Sequence, residues 1–582
     1  RYPLVTGVQT CALPILEEND DTLLKGVACS PGMTIGPVFQ YVRPEIKIRS
    51  HFLGVEEESD CFKKAITEAI TQLEEIHEKM ALGLAQKETA IIEVHIEILN
   101  DQDLINETLT QIQCSQAAST AWKNVIEKRV VQLQALDDPY LAARVLDLKD
   151  VENRVLRILT GASEEKLFFP DYPVIITTTD LSPSDAAGFD PRKTLGFCLA
   201  GGGTTSHTAI IARALGIPAV VNMGAALLEV KNDTQVILNG QNGTLRVNPD
   251  ETQLAQTRQT MHQWQEQQIK DKQNAADPAI TPDGRQIEVV ANIGGVKDAK
   301  AALKAGAEGV GLLRTEFLFL DREQAPDEEE QYQIYVQILS ALENHPVLIR
   351  TMDIGGDKPI PYIKMAPEAN PFLGVRGLRL SIVYPDLFRQ QLHAVFRAAQ
   401  SGRVRLMFPM VSDIEEWRAA RRLVEEVVKE NNAAPVEMGI MVEVPSAALL
   451  ADVFAKEVDF FSIGTNDLTQ YTLAMDRGNS TLAAQSDGLH PAVLRLIAMT
   501  VEAAHREKRW VGVCGELGAD PQALPVLLGL GVDELSVNLN AIASLKAQLR
   551  KTSYQAAQEL AKKALACETA RQVRTLSASF ES

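Results

Sequence analysis

At 582 residues, with 45% hydrophobic and 23% charged residues, the chain has the make-up of a globular protein too long for one core, so several domains are expected. Its net charge of −20 argues against a general affinity for nucleic acid or anionic membranes. The seven cysteines are scattered without a Cys-x-x-Cys pair, so neither a disulfide framework nor a zinc site is expected, and no apolar run approaches the roughly 20 residues of a membrane span. A cytoplasmic protein without membrane insertion follows as the expectation.

The first fifteen residues, RYPLVTGVQTCALPI, have no initiator methionine, no basic n-region and no small-residue cleavage site. Residues 1–20 read as a non-native leader on a gene truncated upstream, and lie outside the expected fold. Next, LLKGVACSPGMTIGPVFQYV alternates apolar and small residues between Pro-Gly and Gly-Pro turns, the pattern of strands. From about Val55 the period changes: Phe62, Ala65, Ile66, Ala69, Ile70, Leu73 and Ile76 recur at helical spacing, and similar stripes run to about Thr160. Strand patterns return at VIITTT, LGFCLA, PAVV, QVILNG and TLRV. Residues 21–43 and 161–250 therefore read as one small α/β domain, with an all-helical domain inserted at 44–160.

Residues 251–279 are Gln-rich and helix-forming with almost no apolar stripe, which suits a helical linker between domains. From 280 to 582 short apolar runs alternate with amphipathic segments in roughly eight strand-plus-helix units, as a (β/α)8 TIM barrel requires. The fold class expected is therefore multidomain α/β: a small domain with a helical insert, followed by a barrel.

Two stretches carry chemistry. In AGGGTTSHTAIIARALGIPAVV, Ala200–Val221, three glycines and a Thr-Thr-Ser run place His207 at a helix start, where backbone N–H groups and the helix end form a seat for phosphate. A histidine that merely caps the helix fits the loop equally well. In the barrel, Arg314, Arg350, Asp353, Glu443, Asn466, Asp467, Cys514 and Glu516 fall at the C-terminal ends of their runs, the face where barrel active sites are built. Arg314 and Arg350 in one mouth, with Arg477 beyond the Thr-Asn-Asp run, call for a small, multiply charged phosphorylated acid. Glu443 and Asp467 suit Mg2+ completed by substrate and water, with ion pairs to the arginines as the alternative. Cys514 reads either as an inert buried thiol or as a proton donor or nucleophile. Asp353, Lys358 and Arg376 are candidates for the same mouth.

Taken in order, GGGTTSHTAIIARALGIPAVV, GAEGVGLLRTEFLFLDR, RTMDIGGDK, NPFLGVRGLR, MVEVPSAA, FFSIGTNDLTQYTLAMDRGN and GVCGELG resemble enzyme I, the phosphoenolpyruvate-protein phosphotransferase family of the bacterial sugar phosphotransferase system. The resemblance runs from about Leu24 to the C-terminal region. It implies a swivelling phosphohistidine domain, an inserted helical domain that docks the carrier HPr, and a barrel that binds phosphoenolpyruvate, releases pyruvate and forms a homodimer. By motif it implies His207 as the phosphorylated residue, Arg314, Arg350 and Arg477 as substrate-binding arginines, and Asn466 as a ligand contact. Glu443 and Asp467 are implied as Mg2+ ligands and Cys514 as the general acid, with His95, Asp101 and Asp103 on the HPr-docking segment. Thr204 departs from relatives with a basic residue before the Thr-Ser-His triplet. Multiphosphoryl-transfer relatives carry an HPr-like domain fused upstream, so the carrier is either separate or fused. A nucleotide-using dikinase and a scaffold with a vestigial site stand as alternatives, although no GxxxxGK[ST] loop is present.

Overall fold

The computed structural model describes residues 22–42, 46, 48, 51–81, 86–134, 139–161, 170–181, 189–190, 192–202, 209, 212, 216–320, 322–356, 360–363, 365–366, 368–476, 482 and 485–580. The expected leader lies outside them, as do Thr204, His207, Lys358 and Arg477. The chain divides into two compact units, Arg1–Trp264 and Gln265–Ser582.

In the first unit, strands β1 (Thr22–Lys25), β2 (Val27–Ser30), β3 (Met33–Gln40), β4 (Val174–Thr178), β5 (Thr194–Leu199), β6 (Ala219–Val221), β7 (Gln235–Asn239) and β8 (Thr244–Val247) form one sheet. Its order is β1-β8-β7-β3-β4-β5-β6-β2. Strand β4, VIITT, is buried along its whole length, as expected of a β-branched run covered on both faces. Strands β3 and β4 are parallel neighbours, Val38 opposite Ile175, although more than 130 residues separate them in the chain. Between them run the helices α1 (Val55–Ala81), α2 (Gln86–Asn100), α3 (Gln102–Gln113), α4 (Ala118–Gln134) and α5 (Pro139–Thr160). This block has its own core, in which Phe62, Ala65, Ile66, Ala69 and Leu73 meet Trp122, Val125 and Ile126. The rings of Phe62 and Trp122 lie 5.6 Å apart.

Helix α6 (Glu251–Gln273) contains the boundary between the units. It starts at a reciprocal cap: the Gln253 N–H donates to Asp250 Oδ1 at 2.8 Å, and the Asp250 N–H donates to Gln253 Oε1 at 2.9 Å. Leu254 is its one residue buried among the described side chains, in keeping with its polar sequence.

The second unit closes a parallel barrel. Strands β10 (Gln286–Ile293), β11 (Val310–Arg314), β12 (Val347–Arg350), β13 (Val404–Phe408), β14 (Glu437–Val442), β15 (Phe460–Ile463), β16 (Trp510–Val513) and β17 (Glu534–Val537) pair in chain order, and β10 pairs with both β17 and β11. The short β9 (Ala279–Ile280) pairs antiparallel to β10 outside the ring. Side chains alternate across each strand. Val347, Ile349, Leu406, Phe408, Ile440, Val442, Phe461, Ile463, Val511 and Val513 belong to the large core shared with the surrounding helices. The intervening Leu312, Leu348, Met407, Met441 and Phe460 form a separate cluster inside the ring, which Cys514 joins. Gly311 reflects the tightness of the interior, since a Cβ there would come 2.5 Å from Val290 Cγ2 and 2.6 Å from Ser536 Oγ.

Because Trp122 is the largest fully buried side chain of the helical block, Trp122→Ala should destabilise it by about 3–5 kcal/mol. Urea unfolding followed by helical circular dichroism measures the loss; an unchanged midpoint would contradict the packing described.

Candidate active site

The alternation that fills the barrel also aims its chemistry. Arg314 and Arg350 end β11 and β12, stand opposite each other in the ladder, and share the parity of the inward Leu312 and Leu348. Glu443 follows β14 in step with Met441, and Cys514 follows β16 in step with Gly512. Asp467 and Asn466 come from the first turn of the helix Thr465–Leu473, directly after β15. One end of the barrel therefore collects two arginines, two carboxylic acids, an amide and a thiol.

These groups are tied together by buried charge. Arg350 Nη2 donates to Glu316 Oε1 at 2.7 Å and lies 3.3 Å from Asp353 Oδ2. Asp353 accepts from Arg376 Nε and Nη2, both at 3.0 Å, and Arg376 reaches on to Asp467 at 2.9 and 3.3 Å. All five side chains are buried. Burial works against the charges of Arg350 and Arg376, but the carboxylates beside them overcome it and hold both guanidiniums protonated more firmly than usual. The arginines are thus held by the chain's own acids. Glu316 was not evident from the sequence, although its place two residues after Arg314 at a strand end is the same signal that marked the others.

Glu443 carries the opposite strain. Burial first, then the charges of Asp467 and Asp353, push its carboxyl well above the usual range, against the pull of Arg376 and Arg350. Its Oε1 accepts the Met410 N–H at 2.6 Å. Gly464 leaves room beside the other oxygen, where a Cβ would come within 3.0 Å of Oε2. Two crowded carboxylates of this kind fit a small divalent cation. Among the described residues no group of three or more His, Cys, Asp or Glu is arranged to enclose a metal, and both oxygens of Asp467 are engaged by Arg376.

Cys514 is buried, and burial pushes its thiol up to about 11, against the opposing effects of Ser462, Arg350 and Arg314. It stays protonated at neutral pH. Asn292, also unmarked by the sequence reading, spans the ring closure: its Nδ2 donates to the carbonyls of Cys514 at 3.1 Å and Ser536 at 3.0 Å. Asn466 Oδ1 accepts the Glu516 N–H at 3.0 Å, joining the turns after β15 and β16.

In the first unit, β5 ends at Leu199, and further along the chain Ala209 and Ala212 are buried in the same core as Phe197 and Leu199. On the helical block, Asp101 and Asp103 are exposed, and Asp101 caps α3 by accepting the N–H groups of Asp103 at 2.8 Å and Leu104 at 3.3 Å. His95 is only 1% exposed: its Nε2 lies 3.1 Å from Asp147 Oδ1 and its Nδ1 3.7 Å from Asp150 Oδ2. The ring joins α2 to α5 from within, so it is not itself part of the surface expected to meet a partner.

The chain matches three family models, described as the PEP-utilising enzyme N-terminal domain over 25–144, the mobile domain over 170–243 and the PEP-binding domain over 267–554. It is 47% identical to a multiphosphoryl transfer protein of Rhodobacter capsulatus, over 95% of this chain and 67% of the relative. It is 39% identical to the phosphoenolpyruvate-protein phosphotransferase of Geobacillus stearothermophilus, over 94% of this chain and 96% of the relative. With the corresponding protein of Bacillus subtilis the identity is 38%, over 94% of this chain and 98% of the relative. Buried arginines beside a carboxylate pair and a protonated thiol at the barrel mouth accord with these matches, and the chain belongs to the phosphoenolpyruvate-protein phosphotransferase family of PEP-utilising enzymes.

Proposed function

We propose that the chain takes the phosphoryl group of phosphoenolpyruvate onto His207, releases pyruvate, and passes the group to a histidine of an HPr-type carrier. The observation that carries this reading is the joint burial of Arg350, Glu443 and Cys514 at one barrel end, in a protein of this family. Arg314, Arg350 and Arg477 bind the phosphate and carboxylate of the substrate, and Asn466 contributes a further contact. Glu443 and Asp467 would hold Mg2+, which when bound would supply Lewis-acid stabilisation of the phosphoryl charge.

His207 Nε2 attacks phosphorus in line, which requires an approach to about 3–3.5 Å. The N–P bond forms as the bond from phosphorus to the enol oxygen breaks, leaving the enolate of pyruvate. The Cys514 thiol then gives its proton to the terminal carbon of the enolate and is reprotonated by solvent. Its raised pKa supports this role, because an acid must hold its proton until the carbanion character develops. Phospho-His207 afterwards donates to HPr, docked on the acidic helical block near Asp101 and Asp103, with His95 supporting that surface from inside. The carrier is separate or fused upstream, as the name of the Rhodobacter relative allows.

We further propose that the barrel unit forms a homodimer. Leu373, Ile382, Val383, Leu449 and Leu450 are exposed on it. The helices bearing Ile382–Val383 and Leu449 flank one loop, where Arg379 Nη2 donates to Ser412 Oγ at 2.9 Å and Ser446 Oγ to the Ser412 carbonyl at 2.8 Å. A second copy of this surface is the natural cover for such a patch.

Incubated with labelled phosphoenolpyruvate and Mg2+, the wild type should take up acid-labile label, whereas His207→Ala and wild type stripped by EDTA should not. Equal labelling of His207→Ala would remove that histidine from the mechanism. In alkylation with iodoacetamide, the exposed Cys61 and Cys114 should react at neutral pH well before Cys514, whose rate should climb with pH towards about 11. Early reaction of Cys514 would mean a thiolate and would rule out its acid role. Val383→Lys combined with Leu449→Lys should convert a dimer to a monomer in sedimentation velocity; an unaltered dimer would place the interface elsewhere.

A further inference from the structure

We propose that Glu316 and Asp353 are positioning residues for phosphoryl transfer: they set the orientation of the Arg350 guanidinium without touching substrate. The proposal rests on the reading of Arg350 as a phosphate ligand. Arg350 has four rotatable side-chain bonds, yet both Nη ends of its head are held. Glu316 accepts from Nη2 at 2.7 Å, Asp353 lies 3.3 Å from the same nitrogen, and Met441 Sδ is 3.5 Å from Nη1. Asp353 also takes the fork of Arg376, so one carboxylate fixes the spacing of two guanidiniums.

The backbone of Arg350 is held as firmly. Thr315 Oγ1 donates to the Arg350 carbonyl at 2.7 Å and accepts from Gln391 Nε2 at 3.1 Å. Gln391, on the helix Pro385–Ala398 outside the barrel, accepts the Met352 N–H on Oε1 at 3.0 Å and donates to Tyr335 Oη at 3.3 Å. Thr315, Gln391 and Tyr335 are fully buried. A polar cluster between strands and helices is no better for stability than apolar packing of the same shape, so its effect lies in fixing one geometry. It fixes the strand end that carries Arg350, while Glu316 and Asp353 fix the head.

The electrostatic consequence separates this role from simple binding. Two carboxylates beside Arg350 weaken its attraction for an anion, so they cost affinity while they impose orientation. Removing one should leave substrate binding intact or tighter and slow the chemical step.

The test is single-turnover phosphorylation by labelled phosphoenolpyruvate with Mg2+, measured against substrate concentration for the full chain, Glu316→Gln and Asp353→Asn. The maximal rate is expected to fall on the order of 10- to 100-fold in each variant while the half-saturating concentration stays level or falls. Melting curves matched to the wild type establish that folded populations are compared, and if one variant does not fold the other carries the test. Unchanged maximal rates overturn the proposal, as does a rise in half-saturation at constant rate, which would make these acids part of binding. Absence of labelling in the wild type would instead overturn the proposed function.

Discussion

The barrel mouth depends on a buried line of alternating charge running from Glu316 through Arg350, Asp353 and Arg376 to Asp467. Moving an ion out of water costs several kcal/mol even after relaxation, so no member of the line could be buried alone. Each arginine lies between two acids, and Asp353 between two arginines. The strand ends that deliver these residues are therefore coupled: β12 supplies Arg350, the turn after β11 supplies Glu316, and the helix after β15 supplies Asp467.

Much of this was legible because a strand has a period of two and a barrel has one functional end. Arg314, Arg350, Glu443 and Cys514 each terminate an apolar run, and counting back by twos from each reaches a residue of the interior. The helical insert was legible for a different reason: the opening strands lacked a core of their own, and β4, which lies parallel to β3, arrives only after five helices. The line of ion pairs was less so. Glu316 stood beside a recognised arginine but in a run that reads equally well as a turn, and its partner Arg350 is 34 residues away.

Two other residues show where pattern fails. Asn292 gains its meaning only when β10 closes against β17, which brings it to Ser536 across 244 residues. Gln391 looks like one more polar position on an amphipathic helix, and only the fold reveals that its amide satisfies two strand ends. His95 shows the reverse, a readable signal overlooked. It stands three residues after Ile92 and four before Leu99, both fully buried, so helical spacing alone puts its ring on the inner face. A motif match suggested a surface role where the period pointed inward.

The same dry environment acts on Cys514 and Glu443. Burial raises the pKa of both, because it disfavours the thiolate and the carboxylate alike. The thiol stays neutral beside the barrel interior, with its sulfur 3.6 Å from the Ile463 carbonyl. The Glu443 carboxyl is crowded by Asp467 and Asp353, which disfavour its charge, and is opposed in this by Arg376 and Arg350, whose own charge is shared among Glu316, Asp353 and Asp467. Thiol and carboxyl thus differ by their neighbours rather than by their depth, since the carboxyl is pushed by two further acids and the thiol chiefly by burial.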